Sequence, residues 1–413
     1  MTIIYNKLLY NKENSIISTI LCTDLSAAYD TVNTDILLEK LEYYGFRDKE
    51  YRIFQSYFTN RKQFVCLDTF NSLIIDSPSS GCVQGSKMSS SLYNLYISEV
   101  PDLHKLIYHK LFKDITGSTP KFKYKNIEHL TINYIDDSSN IISTKDHSHI
   151  KHYIEDYYNL LHEFYNINML KINPDKNKIL IIYQNKFENI FKNFSFKAKD
   201  YTIKKSSTIK ILGTYIQQDL KLDKEISTLS SKLHNRIHNL KKISQYTTFN
   251  TRKDFLNSYV IGKMNYMLPL YLHCSQTLIN KLHKVLMTAA RAAINNYCFK
   301  KSCHYILTKC NWLNINNMII YSGITLTYKI LTEKESAALM MLFRKKNSNR
   351  NYTKWYTDYL PKTEIMKKFH SYRCLEYFYT LPKEIQNCKN TTFKKKLKLY
   401  LNSTTIALFD THD

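Results

Sequence analysis

The chain has 413 residues, of which 44% are hydrophobic, and its 59 basic and 35 acidic side chains leave a formal net charge of +24. This apolar content excludes a disordered chain, and nine cysteines in a chain of this length exclude a small disulfide-stapled scaffold. No apolar run approaches the roughly 20 residues that span a bilayer, and the N-terminus lacks the apolar segment of a secretory signal. We therefore expect an intracellular globular protein of roughly two or three domains that does not contact a membrane.

The positive charge has two explanations. An excess of this size favours a polyanionic partner such as nucleic acid or an anionic surface. Abundant Lys, Asn, Ile and Tyr beside only seven Gly and seven Pro are also what AT-rich coding DNA produces without selection for binding. Charge alone therefore favours nucleic acid only weakly.

Several elements can be predicted from the first part of the chain. The β-branched segment IISTILCT, residues 16–23, predicts a buried strand that ends at Asp24. A helix is predicted over residues 34–44, with Thr34 as its N-cap and Gly45 just beyond its C-terminus.

The following elements come from the same criteria. In chain order they are a helix with Ile53, Phe54, Tyr57 and Phe58 on one side, short strands over 63–67 and 72–76, a small-residue loop over 79–86, a helix carrying Leu92, Leu95, Tyr96 and Val100, a strand–acidic turn–strand over 130–143, and strands over 179–183 and 209–216. After Asp219 apolar residues recur at spacings of three and four, which predicts an amphipathic helix. Its apolar stripe is Ile226, Leu229, Leu233, Ile237, Leu240 and Ile243. A mixed half thus ends near residue 220 and a helical half follows.

Three acidic residues stand at predicted strand ends or turns: Asp24, and the pair Asp136 and Asp137 in TINYIDDSSNIIS. Adjacent carboxylates beside buried strands repel each other and are costly unless a cation compensates them. Mg²⁺ prefers one or two carboxylates plus phosphate oxygens, and two such ions roughly 3.5–4 Å apart would activate a 3′-hydroxyl and stabilise a leaving pyrophosphate. The alternative is that the pair forms an ordinary polar turn and that Asp24 merely ends a strand.

Five segments resemble, in the same chain order, the motifs of reverse transcriptases of non-LTR (LINE-type) retrotransposons. They are TDLSAAYDTVNTDILLEKLEYYGF, GCVQGSKMSSSLYNLYISEVPDL, NYIDDSSNI, LKINPDKNKILII and IKILGTYIQQDLKLDKEI. The order of the five segments carries the resemblance, since none of them would suffice alone. It extends from about residue 23 to residue 313, where CNWL is similar to a thumb segment, and LPKEIQNCKNTTFKKKLKLYL resembles the terminal segment of many such elements.

The resemblance implies an α+β fold with a right-hand polymerase palm. Residues 1–220 would form the palm, a ferredoxin-like antiparallel sheet with helices, together with incomplete fingers. Residues 221–330 would form an α-helical thumb, and residues 331–413 a C-terminal helical extension. The implied activity is that of an RNA-directed DNA polymerase, which adds dNTPs to a DNA primer on an RNA template with two Mg²⁺ ions, or Mn²⁺ in their place. Such an enzyme would act in the nucleus or the cytoplasm, with the nucleus slightly favoured.

Asp24, Asp136 and Asp137 take the positions of the family's metal-binding catalytic residues. In polymerases of this kind the first and second carboxylates bridge the ions and the third assists. Substitutions in the neighbouring loops depart from the family's usual residues but remove none of the three carboxylates.

Four further residues match the family's nucleotide-binding positions. Tyr29 matches the aromatic residue that blocks a ribose 2′-hydroxyl, and Gln84 and Gly85 match the loop beside the nascent base pair, where glycine permits close backbone approach. Lys176 matches the Lys suggested to protonate the pyrophosphate or neutralise its charge. From the pattern alone, Tyr29 is equally well a core aromatic, and Lys176 a solvated surface residue.

The predicted thumb helix carries basic residues around its polar side. They are Lys232, Arg236, His238, Lys241 and Lys242. In a thumb, that side would track the backbone of a template–primer duplex and give salt-dependent, sequence-independent binding. An ordinary solvated face is the alternative.

Other interpretations remain open at this point. Only 23 residues precede Asp24, which predicts an N-terminally truncated copy, or one piece, of a longer polyprotein. Such a chain could be a catalytically inactive remnant that at most binds nucleic acid. A group II intron or retron reverse transcriptase is disfavoured by Gln-Gly-Ser at residues 84–86 and by LYISEVPDL after it.

A zinc site can be considered at Cys298, Cys303, His304 and Cys310. Their spacing departs from that of usual zinc pairs, and the segment has a helical pattern. We therefore expect reduced thiols rather than a metal site there.

Overall fold

The computed structural model describes residues 1–76, 80–110, 124, 126–199, 201–296, 302–333, 343–347, 353–356 and 370–403. The chain forms two compact units. Residues 14–211 are the sheet unit. The helical unit combines residues 1–13, which carry helix α1 (Thr2–Glu13), with the chain from residue 212 onward. Within the described residues, no helix is both long and apolar enough to cross a membrane.

The sheet unit alternates strands and helices. In chain order these are β1 (Ile17–Thr23), α2 (Thr34–Tyr43), α3 (Asp48–Phe58), β2 (Lys62–Gln63), β3 (Cys66–Leu67), β4 (Phe70–Asn71), β5 (Ile75–Asp76), α4 (Ser89–Tyr96), α5 (Leu103–Lys110), β6 (Ile127–Tyr134), β7 (Asp137–Thr144), α6 (Ile150–Ile167), β8 (Lys178–Ile182), α7 (Glu188–Phe191), β9 (Ser195–Ala198), β10 (Tyr201–Lys204) and β11 (Thr208–Ile211). Short three-ten helices occupy Val100–Asp102 and Pro174–Lys176.

Four of these strands form the main sheet, in the order β6–β7–β1–β8. Each neighbouring pair is antiparallel. β1 is central, and all its residues except Cys22 are buried, because the β-branched and Leu side chains fill both faces. The predicted α+β class with an antiparallel sheet and packed helices is confirmed.

Helix α6 covers the sheet with tyrosines and was not predicted from the sequence. Tyr153, Tyr157, Tyr158 and Tyr165 are all buried. A search for aliphatic stripes overlooks such a face, because tyrosine is amphipathic and its hydroxyl needs a buried partner. These partners exist: Tyr157 donates to Asn140 Oδ1 at 2.7 Å, and the hydroxyl of Tyr153 lies 2.9 Å from a histidine nitrogen.

The ends of α2 were predicted in part. Asn33, not Thr34, is the N-cap, and its side chain accepts from the backbone N–H groups of Asp35 and Ile36. An Asn side chain caps at least as well as Thr, and Asn33 has the extended backbone that a cap requires. Gly45 lies beyond the C-terminus with φ +94°, as predicted.

Two predicted strand regions differ in detail. The residues predicted as two strands over 63–67 and 72–76 form two-residue ladders, and between the ladders Val65 N donates to the side chain of Ser72 at 2.8 Å. The predicted strand over 209–216 is divided at Leu212 and Gly213, which both have positive φ.

The helical unit follows the predicted change of pattern. Its elements after α1 are β12 (Thr214–Gln217), α8 (Asp223–Lys242), α9 (Phe249–Leu256), α10 (Gly262–Asn265), α11 (Gln276–Ile294), α12 (Cys303–Cys310), α13 (Ile315–Glu333), β13 (Arg344–Asn347), β14 (Thr353–Tyr356), and helices over Leu375–Thr380, Lys383–Gln386 and Asn390–Ser403. The predicted stripe of α8 is buried except for Ile243, which is the C-cap and is 51% exposed.

The predicted domain over residues 1–220 stays a prediction. The compact units place residues 1–13 and 212–220 within the helical unit. The hydroxyl of Tyr5 donates to the Leu220 carbonyl, and Lys12 Nζ donates to the Asp219 carbonyl at 2.8 Å. The predicted division at residue 330 stays a prediction.

A histidine in β6 belongs to a polar network under α6. His129 Nδ1 lies 2.9 Å from the Tyr153 hydroxyl, and Nε2 lies 3.3 Å from Asn140 Oδ1. Removal from water lowers the pKa of His129 to about 3; the bond to Asn140 opposes this shift, and the nearby His104 adds to it. The folded protein therefore holds this imidazole neutral.

We expect acid to destabilise the sheet unit through His129. Its pKa in the unfolded chain is about 6.5, so below that pH the unfolded chain binds a proton that the folded protein does not. The free energy of unfolding should therefore fall as the pH drops from about 6.5 toward about 3. Urea unfolding at about pH 7.5 and about pH 5 measures this decline. The His129→Gln variant should flatten it, whereas a change at exposed His152 (His152→Gln) should not.

Arg252 in α9 is a buried cation that is bonded to carbonyls. Its Nε donates to the Ala293 carbonyl at 2.9 Å, and Nη1 donates to the carbonyls of Ser244 (2.9 Å) and Thr247. The side chain thereby joins the C-terminal end of α11 to the turn after α8.

Replacing this guanidinium should destabilise the helical unit. We expect Arg252→Met to lower the free energy of unfolding by about 2–4 kcal/mol, since buried carbonyls lose their donors. Arg252→Lys should recover part of the loss, and the exposed control Lys232→Met should change stability by less than about 0.5 kcal/mol. A loss no larger than that of the control would show that water replaces the guanidinium without cost.

Candidate active site

The register of the sheet brings the three predicted carboxylates together. β1 ends at Thr23, so Asp24 is the first residue beyond the central strand. Thr23 pairs with Ser138, the second residue of β7. The turn that carries Asp136 and Asp137 therefore lies beside the end of β1.

The β6–β7 turn has a strained backbone. Tyr134 pairs with Asp137, which leaves Ile135 and Asp136 as the two turn residues. Ile135 has φ +58°, a left-handed conformation that costs a β-branched residue about 1–2 kcal/mol. Its side chain packs against the core of the sheet unit. Packing thus holds the conformation that fixes Asp136.

The segment before β8 crosses the end of β1 and places Lys176. Asn173 N donates to the Asp24 carbonyl at 2.9 Å, and Asp24 N donates to Asn177 Oδ1 at 3.2 Å. The three-ten helix between these contacts sets Lys176 Nζ 3.0 Å from Asp24 Oδ2. Asn173 and Asn177, which flank Lys176 in the sequence, are thus both hydrogen-bonded to the backbone of Asp24. These two bonds hold Lys176 beside the carboxylate that it neutralises.

The loop between β5 and α4 crosses the loop that follows β1. Gly81 N donates to the Val32 carbonyl at 2.7 Å, and Cys82 N donates to the Tyr29 carbonyl at 2.8 Å. Gly81 has φ +94°, and a Cβ there would lie 3.0 Å from the Asp30 carbonyl oxygen. Only glycine fits at this crossing.

These crossings surround a cavity of about 640 Å³ within the sheet unit. Most of the residues predicted for catalysis and nucleotide binding line it, namely Asp24, Tyr29, Gln84, Gly85, Asp136 and Lys176. Asp137 lines a neighbouring cavity of about 250 Å³, which Asp24 and Lys176 also line. Residues from four separated parts of the sequence are thus brought to one place.

The carboxylates affect one another electrostatically. Partial removal from water raises the pKa of Asp137, the charges of Asp136 and Asp24 raise it further, and Lys176 lowers it. Because the Asp137 side chain keeps exposed surface, we expect salt to screen much of this effect. The repulsion is the one expected for carboxylates that would share a cation.

Tyr29 meets both interpretations that the sequence left open. Its ring stacks on buried Tyr93, with centroids 5.1 Å apart and planes inclined by 27°. It is also only partly buried and lines the larger cavity. Gly85 has φ +88°, a backbone conformation that favours glycine, and no protein atom lies within 4 Å of an added Cβ.

The site fits a metal that binds together with a phosphate-bearing substrate. Over the described ranges, no three His, Cys, Asp or Glu side chains come together as a ready-made metal site. Asp24 Oδ2 is buried and accepts no hydrogen bond, although Lys176 Nζ is within 3.0 Å. Mg²⁺ needs only one or two protein carboxylates when phosphates supply other oxygens. Asp24 and Asp136, which share the cavity, could supply them.

The cysteines considered for zinc are not brought together in the part of the chain that the structure describes. Cys303 is exposed at the start of α12, while Cys310 is buried and its thiol donates to the Ala290 carbonyl at 3.8 Å. Cys298 lies outside the described residues.

The basic residues predicted to contact nucleic acid lie on α8 in the helical unit. Lys232, His238 and Lys242 are exposed, and Lys241 is partly exposed. Arg236 Nη1 donates to the Tyr259 carbonyl at 2.5 Å, so its guanidinium also has a structural contact. Their role in nucleic-acid binding stays a prediction.

Sequence reasoning missed two polar contributions to the site. The Asp30 carboxylate accepts a hydrogen bond from the side-chain amide of Gln84. Arg61 Nη2 donates to the carbonyl of Gly81 at 3.0 Å and so supports the loop crossing. Asp30 is the second aspartate of TDLSAAYD, so its place in that motif was the available signal.

Comparisons with known proteins agree with this architecture. A family model described as reverse transcriptase (RNA-dependent DNA polymerase) matches residues 5–216. No curated protein matches the chain.

The similar solved structures include three of telomerases from two Candida species. Telomerase from Candida albicans, in complex with a TWJ fragment of telomeric RNA, is 13% identical with a TM-score of 0.39, and the match covers 98% of this chain and 54% of that one. Apo telomerase from Candida tropicalis is 14% identical with a TM-score of 0.37 and coverages of 82% and 55%. The form of that apo enzyme truncated from the C-terminal domain is 15% identical with a TM-score of 0.32 and coverages of 54% and 38%.

The chain spans about half, or less, of the length of these solved chains. Identities and scores this low add nothing about what the chain binds. The family match is of a different kind, because it includes β1, the β6–β7 hairpin and both loops that line the larger cavity. Since residues 5–216 make up just over half of the 413 residues, the chain belongs to the reverse transcriptase (RNA-dependent DNA polymerase) family.

Proposed function

We propose that this chain is the reverse transcriptase of a non-LTR retroelement and adds dNTPs to the 3′-end of a DNA primer on an RNA template. The observation that carries the proposal is the single cavity lined by Asp24, Tyr29, Gln84, Asp136 and Lys176. Membership in the reverse transcriptase (RNA-dependent DNA polymerase) family supports this activity, which is a nucleotidyl transfer. The five ordered motifs support the non-LTR subtype.

Asp24, Asp136 and Asp137 would hold two Mg²⁺ ions together with the triphosphate. When bound, the ions lower the pKa of the primer 3′-hydroxyl and stabilise the charge on the leaving pyrophosphate. Lys176 neutralises Asp24 and lies at the same cavity, so its ammonium can also offset charge on the pyrophosphate.

Tyr29 and Gln84 would select and orient the nucleotide. The stack of Tyr29 on Tyr93 fixes one ring at the cavity wall, where a rigid aromatic group excludes a ribose 2′-hydroxyl by its volume. Gly85 lets the chain turn beside Gln84 without a side chain. Both features would act on the nucleotide sugar and base rather than on the reacting phosphate.

The exposed cations of α8 would bind the template–primer duplex. Lys232 and Lys242 offer ammonium groups to phosphates, while Arg236 has one guanidinium contact within the protein. Binding of this kind weakens steeply as salt rises, because phosphate neutralisation releases counterions.

A second candidate function is nucleic-acid binding without catalysis, in a retroelement remnant. One observation favours it: Lys176 Nζ already pairs with Asp24 Oδ2 at 3.0 Å, at an oxygen that a metal ion would use. A filter-binding assay with RNA–DNA duplex, run beside primer extension, separates the two functions. Duplex affinity without nucleotide incorporation would support the remnant.

Removal of the Asp136 charge should abolish polymerisation. We expect Asp136→Asn to reduce primer extension on an RNA template by roughly 100-fold or more, since the neutral amide is a poor metal ligand. Duplex binding should stay unchanged. The matched control is Asp102→Asn, which removes only a surface ion pair to Lys105 and should alter extension less than about twofold. Unchanged extension by Asp136→Asn would show that the assigned mechanism is wrong.

Shortening Tyr29 should relax sugar selection. We expect Tyr29→Ala to raise the use of ribonucleotides relative to deoxynucleotides on the order of tenfold, because the cavity wall loses its ring. The ratio of kcat/KM for rNTP and dNTP measures the effect. Tyr29→Phe keeps the ring and should keep the ratio. If Tyr29→Ala has the same rNTP-to-dNTP ratio as the unsubstituted protein, Tyr29 is a core residue and does not select the sugar.

A further inference from the structure

The side chains of Gln84 and Asp30 meet where the two site loops cross. Gln84 Nε2 lies 3.0 Å from Asp30 Oδ1 and 3.2 Å from Asp30 Oδ2. Both distances go to the same amide nitrogen. Gln84 lines the larger cavity, whereas Asp30 does not. A ligand in the cavity would therefore contact Gln84 and not the Asp30 carboxylate.

The chemistry of the pair decides which way the amide faces. An ionised carboxylate can only accept hydrogen bonds, and in a glutamine amide only the NH₂ group can donate. A rotated amide would place two acceptors against each other, so Asp30 selects one of the two orientations. In the selected orientation Asp30 engages the NH₂ group, so Gln84 Oε1 is free to act as the acceptor that the side chain offers a ligand.

Backbone contacts hold the two side chains at this meeting point. Asp30 N donates to the Ala27 carbonyl at 2.9 Å, which fixes the turn that carries the carboxylate. On the other loop, Cys82 N donates to the Tyr29 carbonyl at 2.8 Å, two residues before Gln84. The contact therefore joins exposed side chains of two loops whose backbones are anchored.

We propose that Asp30 is a positioning residue that orients the Gln84 amide, so that the cavity presents the Gln84 carbonyl oxygen to a hydroxyl or amino donor of the incoming nucleotide. This inference rests on the proposed function, since it assigns a nucleotide to the cavity. It adds a residue that does not touch the substrate, and it assigns the acceptor role in the nucleotide contact to Gln84 Oε1.

Steady-state incorporation of single dNTPs tests the proposal. Asp30→Ala should raise the KM for dNTP about fivefold and leave kcat within about twofold, because one oriented hydrogen bond is lost and the reacting groups are untouched. Asp30→Asn should fall between the unsubstituted protein and Asp30→Ala, since an asparagine can accept from Gln84 but can also donate to it. The matched control is Glu39→Gln, which removes an exposed carboxylate from α2 and should leave KM unchanged.

A double-variant cycle shows whether Asp30 acts through Gln84. Gln84→Met should raise KM by itself, and adding Asp30→Ala to it should have no further effect. An unchanged KM in Asp30→Ala, or the same increase in the Gln84→Met background, would overturn the proposal.

The same variants also separate this inference from the proposed function. Binding of a fluorescent dNTP is measured with the protein, an RNA template and a primer that ends in a 2′,3′-dideoxynucleotide. This primer cannot be extended. Absence of both binding and extension in the unsubstituted protein would overturn the proposed function. The Asp30–Gln84 pair is then decided by urea unfolding: the double variant should lower the midpoint no more than the larger single variant does, and additive losses would overturn the pair.

Discussion

The repulsion between carboxylates at the end of β1 is the constraint on which the site depends. Antiparallel pairing of Thr23 with Ser138 leaves no freedom to separate Asp24 from the β6–β7 turn. In an unfolded chain these carboxylates would be solvated by water and free to move apart. In the folded protein the sheet register holds them close together. Lys176 offsets part of the repulsion, and it can do so only because the segment before β8 is bonded to the backbone of Asp24.

The cavity lies where one segment crosses the end of β1 and where two loops cross each other. The sheet supplies the carboxylates, while the two loops supply Tyr29, Gln84 and Gly85. Gly81 permits one crossing by the absence of a side chain, and Asn177 holds the other through its amide. These contacts hold the wall of the cavity in place, although most of the wall has no regular secondary structure.

The sequence predicted the parts that local pattern and motif order control. β1, the β6–β7 hairpin and the buried stripe of α8 follow from periodicity, and the six cavity residues come from matched motifs. Helix α6 was not predicted, because its buried face consists mainly of tyrosines. The Asp30–Gln84 contact was not predicted, because it joins two exposed polar side chains that are 54 positions apart. Sequence periodicity gives no information about contacts of this kind.

The boundary between the units was also beyond local pattern. Helix α1 has a composition that gives no sign of its partner, and long-range contacts such as those of Tyr5 and Lys12 with residues 219–220 assign it to the helical unit. Propensity states that a helix forms, while the location of its docking surface depends on residues more than 200 positions away.

The left-handed backbone at Ile135 limits how this hairpin can vary. Glycine would relieve the strain, yet it would remove the side chain that anchors the turn to the core. A larger side chain would keep the anchor but crowd a conformation that already disfavours it. Mutational tolerance at this position is therefore narrow in both directions, and a change that stabilised the backbone alone would loosen the placement of Asp136.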